Sequence, residues 1–180
     1  MNRYCITDSI EVAARAAQDG VGMIQVRAKE LSARELARLV RAILSNAGPS
    51  KILVNTRTDV ALACGADGVH LPAESMSPEN IRRIAPAGFL VGVSCHTIPE
   101  LRAAEHEGAD FAVYGPLFPS VTKSIDAIGL EAFRKAAQSV QLPVYALGGV
   151  TLENAQQCLD AGAAGIAGIS LFTESGFRQQ

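Results

Sequence analysis

The sequence predicts an α/β fold: a single (β/α)8 barrel, spanning residues 1–180 as one domain, with a truncated or missing final helix. Three observations support this prediction. Eight short apolar runs rich in Val and Ile recur along the chain, Ala-rich stretches with helical periodicity lie between them, and glycines recur where those stretches end. The 180 residues, of which 48% are apolar and 19% charged, suffice for one sizeable hydrophobic core.

The strand candidates are short, and most of them lack an alternation of apolar and polar side chains. Continuous apolar runs are typical of parallel strands that are buried on both faces. In a barrel, helices cover such strands on the outside, and the strands' own side chains fill the inside. The eight candidates are residues 4–7, 23–26, 51–55, 68–71, 89–95, 111–115, 143–147 and 165–170.

Between the strand candidates, residues 33–45 and 130–140 carry apolar side chains on one helical face. Glycine is the residue best suited to a left-handed helix C-cap, and four helical stretches end in glycine just before an apolar strand. Each interval between these glycines holds two strand–helix units, which predicts a repeated architecture that closes on itself. The four are Gly20, Gly65, Gly108 and Gly162.

An open, doubly wound sheet is the alternative fold. No GxGxxG motif follows the first strand and nothing marks a reversal of strand order, so the barrel is favoured. After GIAGISLF, the remaining segment TESGFRQQ is too short for a normal final helix. We expect either a vestigial helix or a second subunit, in a homo-oligomer, that covers the eighth strand.

Composition narrows the expected partners to small molecules. The formal net charge is −2 and Lys and Arg are scattered, which gives nucleic acid or an anionic membrane no electrostatic attraction. The chain has no apolar run of the roughly 18 residues that span a membrane, and its start lacks signal-peptide features, so a cytoplasmic location is expected. The 4 cysteines include no CxxC pair and are expected to be reduced.

In barrels of this kind the ligand site forms at the carboxyl ends of the strands. Gln25, Arg27 and Lys29 alternate along the second strand, which places all three on one face. That face points inward if the apolar residues between them face the helices. Two inward cations predict a bound phosphate or diphosphate, and an ion pair with Glu30 or solvation at the surface is the alternative.

Further polar candidates follow the third, fifth and sixth strands. Asn55 and Arg57 end the third strand, whereas Ser94 and His96 end the fifth. The loop after the sixth strand, PLFPSVTKSIDAIG, is long enough to close over an anion as a lid. Its candidate residues are Ser120, Thr122 and Lys123, with an ordinary surface loop as the alternative.

Glycine-containing ends of the last two strands predict a phosphate site. The seventh strand is followed by Gly148 and Gly149. The eighth ends in Ile169 and Ser170, directly after a further glycine. Free backbone N–H groups in the loops after strands 7 and 8 form the usual phosphate cradle of this fold.

With these motifs in place, the sequence resembles the thiamine phosphate synthase and TenI family along nearly its whole length. The resemblance implies a (β/α)8 barrel that uses Mg2+ to join hydroxymethylpyrimidine diphosphate to thiazole phosphate, with release of pyrophosphate. The segments that carry it are YCITD, IQVRAKELSARELARLV, ILVNTRTDVALACGADGVHLP, VGVSCHT, GADFAVYGPLFPSVTK, ALGGVTLENA and GAAGIAGIS.

The resemblance also implies a role for each candidate residue. Arg27, Lys29 and Lys123 would stabilise the departing pyrophosphate. The positions that hold the pyrimidine diphosphate match Gln25, Arg27, Lys29, Asn55, Ser94 and Lys123. The thiazole phosphate positions match Ser120, Thr122, Gly148, Gly149, Ile169 and Ser170.

Two positions depart from the synthase pattern. The synthases usually read NDR after the third strand and QED after the fourth, and both aspartates help to bind Mg2+. Thr56 and Ser75 stand at these positions, so Glu74 is the nearest candidate ligand and weak or absent Mg2+ binding is expected.

Two alternative functions stay open on the sequence. The segment HLPAESMSPENIRR is closer to TenI proteins, some of which are thiazole tautomerases that need an acid or base but no metal. Pro116 stands where those tautomerases have their catalytic histidine, and His96 or another group would have to replace it. The second alternative is a non-catalytic barrel that binds thiazole phosphate or thiamine phosphate.

Overall fold

In the computed structural model, eight parallel strands pair in chain order and close into a barrel, with the eighth strand beside the first. The structure describes residues 1–119 and 127–172. The strands are β1 (Asn2–Thr7), β2 (Met23–Val26), β3 (Lys51–Asn55), β4 (Gly68–Leu71), β5 (Leu90–Cys95), β6 (Phe111–Tyr114), β7 (Val144–Leu147) and β8 (Gly165–Gly168). The helices are α1 (Ile10–Gln18), α2 (Ala33–Leu44), α3 (Thr58–Cys64), α4 (Pro78–Arg82), α5 (Ile98–His106), α6 (Gly129–Gln138) and α7 (Ala155–Asp160).

The predicted (β/α)8 barrel is confirmed, and the open doubly wound sheet is wrong. Each predicted strand agrees with an observed one to within two residues at either end. The difference that matters for the site is at β8, which stops at Gly168, so Ile169 and Ser170 follow the strand. The four repeated glycines follow α1, α3, α5 and α7, and all have positive φ, as expected where a helix ends in a left-handed residue. Gly65 is the C-cap of α3, and the other three lie one residue beyond the caps of their helices.

After β8, the described residues contain a single-turn 3-10 helix, Ser170–Phe172, and no α-helix. The truncated final helix is therefore observed as far as residue 172, and residues 173–180 lie outside the described part of the chain. Within the described ranges, no helix combines the length and the apolar character that crossing a membrane requires.

Side chains inside the barrel close its amino-terminal end. The rings of Tyr4 and Phe111 meet edge to face with centroids 5.3 Å apart, and Tyr145 packs on Phe111 at 5.5 Å. Glycines on other strands leave room for these rings, because a Cβ at Gly92 would overlap Phe111 and one at Gly165 would lie 2.6 Å from the Tyr145 ring. Since Phe111 and Tyr145 lie near the starts of β6 and β7, the free space inside the barrel is at the carboxyl ends.

Candidate active site

A cavity of about 590 Å³ opens at the carboxyl ends of the strands. The structure brings six of the predicted site residues together around it: Gln25, Arg27, Lys29, Asn55, Ser94 and Ile169. Gly148, Gly149 and Ser170 do not line the cavity, although Gly148 directly follows the lining residue Leu147 and Ser170 directly follows Ile169. The predicted Ser120, Thr122 and Lys123 lie outside the described residues.

The two predicted cations lie just beyond β2, which ends at Val26, and not within the strand. The backbone N–H of Arg27 donates to the carbonyl of Thr7 at 2.9 Å, which extends the ladder with β1 and keeps the inward alternation past the strand's end. Arg27 is half-buried and Lys29 is exposed. Neither forms an ion pair within the described part of the chain, so the alternative pairing with Glu30 is not observed there. Two cations without acidic partners favour an anionic ligand.

Arg57 also lines the cavity, but its charge is matched by a carboxylate. Its Nε and Nη2 atoms donate to the two carboxylate oxygens of Asp59 at 2.8 and 2.6 Å. This fork lowers the pKa of Asp59 and keeps the pair ionised. Arg57 therefore adds less positive potential to the cavity than Arg27 does.

A chain of polar side chains crosses the floor of the cavity, and sequence reasoning did not find it. Gln25 Nε2 donates to the hydroxyl of Tyr4 at 3.0 Å, and that hydroxyl lies 3.2 Å from Nδ1 of His70. His70 Nε2 lies 2.9 Å from the hydroxyl of Ser94. Neither Tyr4 nor His70 is assigned to the site from the sequence, because each is one polar side chain within an apolar strand candidate.

Burial decides the charge of His70. Desolvation, together with the positive charge of Arg27, lowers its pKa from an ordinary value of 6.5 to about 3. The ring is therefore neutral in the folded protein near neutral pH and acts as one donor and one acceptor. Burial also raises the pKa of Tyr4, whose hydroxyl stays protonated.

We predict that His70 makes the free energy of unfolding fall with acidification. The unfolded chain protonates His70 below about pH 6.5 whereas the folded chain resists protonation down to about pH 3, so stability decreases by up to about 1.4 kcal/mol per pH unit between these values. Above the unfolded pKa the contribution is constant. Urea unfolding of the protein and of His70→Gln, from about pH 7 to about pH 5, should show a shallower pH dependence in the variant. Equal slopes in the two proteins would contradict the prediction.

His96 lies at the cavity rim and is tied to the backbone. Its Nδ1 donates to the carbonyl of Gly115 at 2.8 Å, and its own backbone N–H donates to Glu100 Oε2 at 2.6 Å. The hydrogen bond at Nδ1 fixes the ring's orientation, which is consistent with a structural role for His96. Pro116, the residue in place of a tautomerase histidine, has no side-chain acid or base to offer.

The glycine loop after β7 packs directly on the loop after β6. Backbone N–H groups of Leu117 and Phe118 donate to the carbonyls of Leu147 and Gly148 at 2.8 and 2.9 Å. Asn154 Nδ2 donates to the carbonyl of Gly149 at 3.0 Å and holds the loop from the other side. Within residues 1–119 and 127–172, the N–H groups of Gly148 and Gly149 have no acceptor, so they are available to a phosphate.

Comparisons with known proteins agree with this geometry. The sequence profile of the TMP-TENI family, described as thiamine monophosphate synthase, matches residues 2–172. The chain belongs to the thiamine monophosphate synthase family. A thiamine-phosphate synthase of Chlorobium luteolum is 39% identical over 94% of this chain and 82% of its own, and one of Pyrococcus furiosus is 39% identical over 93% and 84%.

A solved member of the family has the same fold. The structure of thiamine phosphate pyrophosphorylase from Pyrococcus furiosus superposes with a TM-score of 0.87 at 36% identity, covering 98% of this chain and 90% of that one. The barrel is therefore shared with a thiamine monophosphate synthase family member over nearly the whole length.

Thr56, which replaces the aspartate of the synthase pattern, has an unusual backbone conformation. Thr56 has a φ of 65°, a left-handed conformation that β-branched residues rarely adopt and that aspartate tolerates better. Its hydroxyl accepts a 2.9 Å hydrogen bond from Asn55 Nδ2, and its N–H donates to the His70 carbonyl at 2.8 Å. The loop thus keeps a conformation suited to aspartate while carrying a threonine.

The residues present do not fit a Mg2+ ion held by a pair of carboxylates. Among the described residues, no group of three or more His, Cys, Asp or Glu side chains could hold a metal ion. Glu74 is exposed and does not line the cavity, and Ser75 offers only a hydroxyl. Asp59 is occupied by Arg57. Thr56 and Ser75, the positions at which the resemblance implies metal-binding aspartates, therefore supply no carboxylate in this chain.

Proposed function

We propose that this protein is a thiamine phosphate synthase of thiamine biosynthesis, which joins hydroxymethylpyrimidine diphosphate to thiazole phosphate and releases pyrophosphate. The observation that carries the proposal is the pair of Arg27 and Lys29, without acidic partners in the described chain, beside the amide side chains of Gln25 and Asn55 in one cavity. A bound diphosphate would supply the anionic partner that these two side chains do not have within the described chain.

The reaction needs charge stabilisation and positioning more than a nucleophilic side chain. The bond between the pyrimidine methylene carbon and the diphosphate oxygen breaks, and the electron pair leaves with pyrophosphate. The thiazole nitrogen then uses its lone pair to form the new carbon–nitrogen bond to the cationic methylene. Negative charge grows on the leaving oxygens, so fixed cations such as Arg27 and Lys29 lower the barrier.

The thiazole must be held with its nitrogen facing the methylene carbon. The N–H groups of Gly148 and Gly149 lack an acceptor within the described chain and suit its phosphate. They follow β7, which pairs with β8 as far as Leu147 and Ala167, and Ile169 and Ser170 follow β8. The loop after β6 starts on these glycines, and its predicted residues Ser120, Thr122 and Lys123 would complete the enclosure from above. Holding both substrates in a near-attack arrangement supplies a large part of the rate.

A coupled assay tests the proposal. The full-length protein is incubated with both substrates, and thiamine phosphate is followed by fluorescence after oxidation, with pyrophosphate measured in parallel. We expect equal amounts of the two products and none when either substrate is omitted. Deuterium uptake by the carboxythiazole phosphate without coupling would indicate a tautomerase instead. Tight binding of thiazole phosphate without either reaction would indicate a non-catalytic carrier.

The expected weakness of Mg2+ binding is tested in the same assay with designed carboxylates. Thr56→Asp combined with Ser75→Asp restores both family positions, and we expect the Mg2+ concentration for half-maximal rate to fall by about tenfold or more, since hard cations gain most from carboxylate oxygens. Thr56→Asn combined with Ser75→Asn is the uncharged control. Calorimetric titration of Mg2+ in the presence of pyrophosphate gives a second readout that is independent of turnover. Equal Mg2+ affinity in all three proteins would contradict the expectation.

A further inference from the structure

The polar floor of the cavity joins four strands through one line of hydrogen bonds. Tyr4 lies on β1, Gln25 on β2, His70 on β4 and Ser94 on β5. Tyr4, Gln25 and His70 are 0%, 2% and 4% exposed. Their buried polar atoms therefore depend on one another for hydrogen-bond partners. Gln25, His70 and Ser94 also line the cavity, which places the end of the line where a ligand binds.

The amide end sets one direction for the line. An amide nitrogen can only donate, so the Tyr4 oxygen accepts from Gln25 Nε2. Among the described residues, the hydroxyl of Tyr4 has only Gln25 and His70 as partners. Its single hydrogen is therefore used only if it points to Nδ1 of His70, which is then the unprotonated nitrogen. A neutral ring carries its hydrogen on the other nitrogen, and Nε2–H donates to the hydroxyl of Ser94.

The ligand end demands the same direction. A serine hydroxyl has one hydrogen to donate. If the Ser94 oxygen accepts a hydrogen bond from Nε2–H of His70, the Ser94 hydrogen can be donated to a ligand. Phosphate oxygens are acceptors only, so a hydroxyl that serves a diphosphate must donate to it. The cations Arg27 and Lys29 at the same cavity make an anion the expected occupant.

We propose that Gln25, Tyr4 and His70 form a one-way hydrogen-bond relay that holds the hydroxyl hydrogen of Ser94 toward the leaving diphosphate. Tyr4 and His70 are then positioning residues, which act on the reaction through Ser94 without contacting the reacting atoms. The inference deepens the proposed synthase function and rests on it for the identity of the diphosphate. A preorganised donor of this kind strengthens as charge grows on the leaving oxygens, because it needs no reorientation during the reaction.

The tautomer of His70 is the first test. The chain has 3 histidines, so nitrogen NMR of the full-length protein labelled at histidine gives few signals, and His70→Gln assigns the relevant one. At neutral pH we expect the neutral ring with hydrogen on Nε2 and a free Nδ1. A ring protonated on Nδ1, or a charged ring, reverses or breaks the relay and overturns the proposal.

A double-mutant cycle is the second test, with kcat and the Kd of inorganic pyrophosphate as readouts. Tyr4→Phe keeps the ring packing and should lower kcat about tenfold, the size expected for one misoriented hydrogen bond to a charged group. The same change in a Ser94→Ala background should alter kcat less than about twofold, because Tyr4 acts through Ser94. The Kd of pyrophosphate should follow the same pattern. A tenfold loss in both backgrounds, or in neither, contradicts the relay.

A pair of His70 variants keeps the proposal testable if Tyr4→Phe folds poorly. His70→Gln retains a donor near the Nε2 position and should keep kcat within about threefold of the parent, whereas His70→Leu should lose about tenfold. Equal losses would indicate a purely structural role and overturn the proposal. If the parent protein forms no thiamine phosphate, the proposed synthase function is wrong. The relay is then tested separately by the tautomer of His70 and by the Kd of pyrophosphate.

Discussion

Replacing Arg27 with alanine should lower kcat/KM for pyrophosphate release by about 100-fold or more, the usual loss when one preorganised group aimed at developing charge is removed. Arg27 is half-buried at the cavity and has no acidic partner in the described chain, so its full charge is available to the leaving diphosphate. Removing it should also raise the pKa of His70, which Arg27 helps to depress. The rate is measured with both substrates saturating and then limiting.

Two further variants distinguish the effect of the planar guanidinium group from the effects of positive charge and of folding. Arg27→Lys keeps the charge but loses the planar fork, so its rate should fall between those of the parent and the alanine variant. Arg83 is the matched control, because it is exposed on the outside of the barrel and pairs with Glu79 at 2.7 Å. Arg83→Ala should leave the rate unchanged. A normal rate in Arg27→Ala, with an unchanged melting temperature, would remove Arg27 from the mechanism.

The barrel was predictable because its signals are local and repeated. Each strand is a short apolar run, and each of the four repeated glycines meets the same backbone requirement for positive φ at the end of a helix. Errors of one or two residues at strand ends do not change the topology. They do matter at β8, where the prediction placed Ile169 and Ser170 in the strand and the structure places them after it.

The charged and amide residues of the cavity were also predictable, because polar side chains at the ends of apolar strands stand out. Gln25, Arg27 and Lys29 line the cavity as the alternation along the second strand predicted, and Asn55 lines it at the end of the third. The sequence did not show which of the cavity's positive side chains is paired with a carboxylate. The pairing of Arg57 with Asp59, two residues away, depends on side-chain geometry that spacing alone does not determine.

The polar floor could not be predicted from one sequence. Tyr4 and His70 are 66 positions apart, and their hydrogen bond exists because β1 and β4 face each other across the closed barrel. In the sequence Tyr4 belongs to a run that reads as core, and His70 is one polar residue in the apolar strand GVHL. A polar side chain that points into the barrel at the same level as Gln25 is the signal that could have identified Tyr4 and His70. Finding that level requires the register between neighbouring strands, which the sequence alone does not give.

The loop after β7 gives the second large effect. Gly149 has a φ of 63°, and a Cβ there would lie 2.6 Å from the carbonyl oxygen of Pro119 and 2.7 Å from Phe118 Cβ. Gly149→Ala must therefore push apart the loops after β6 and β7, and the N–H groups predicted to hold the thiazole phosphate move with them. We expect KM for thiazole phosphate to rise by about 100-fold, because several charge-assisted hydrogen bonds weaken together.

A glycine with the same backbone strain but free space around it isolates this effect. Gly108 has a φ of 83°, and a Cβ added there would meet nothing within 4 Å, so Gly108→Ala carries the strain without the collision. Both alanine variants should melt earlier than the parent, since a left-handed alanine costs roughly 1–2 kcal/mol. The rise in KM should occur in Gly149→Ala and not in Gly108→Ala. If both variants bind thiazole phosphate normally, the phosphate lies elsewhere, whereas equal losses would trace the defect to stability and not to the loop contact.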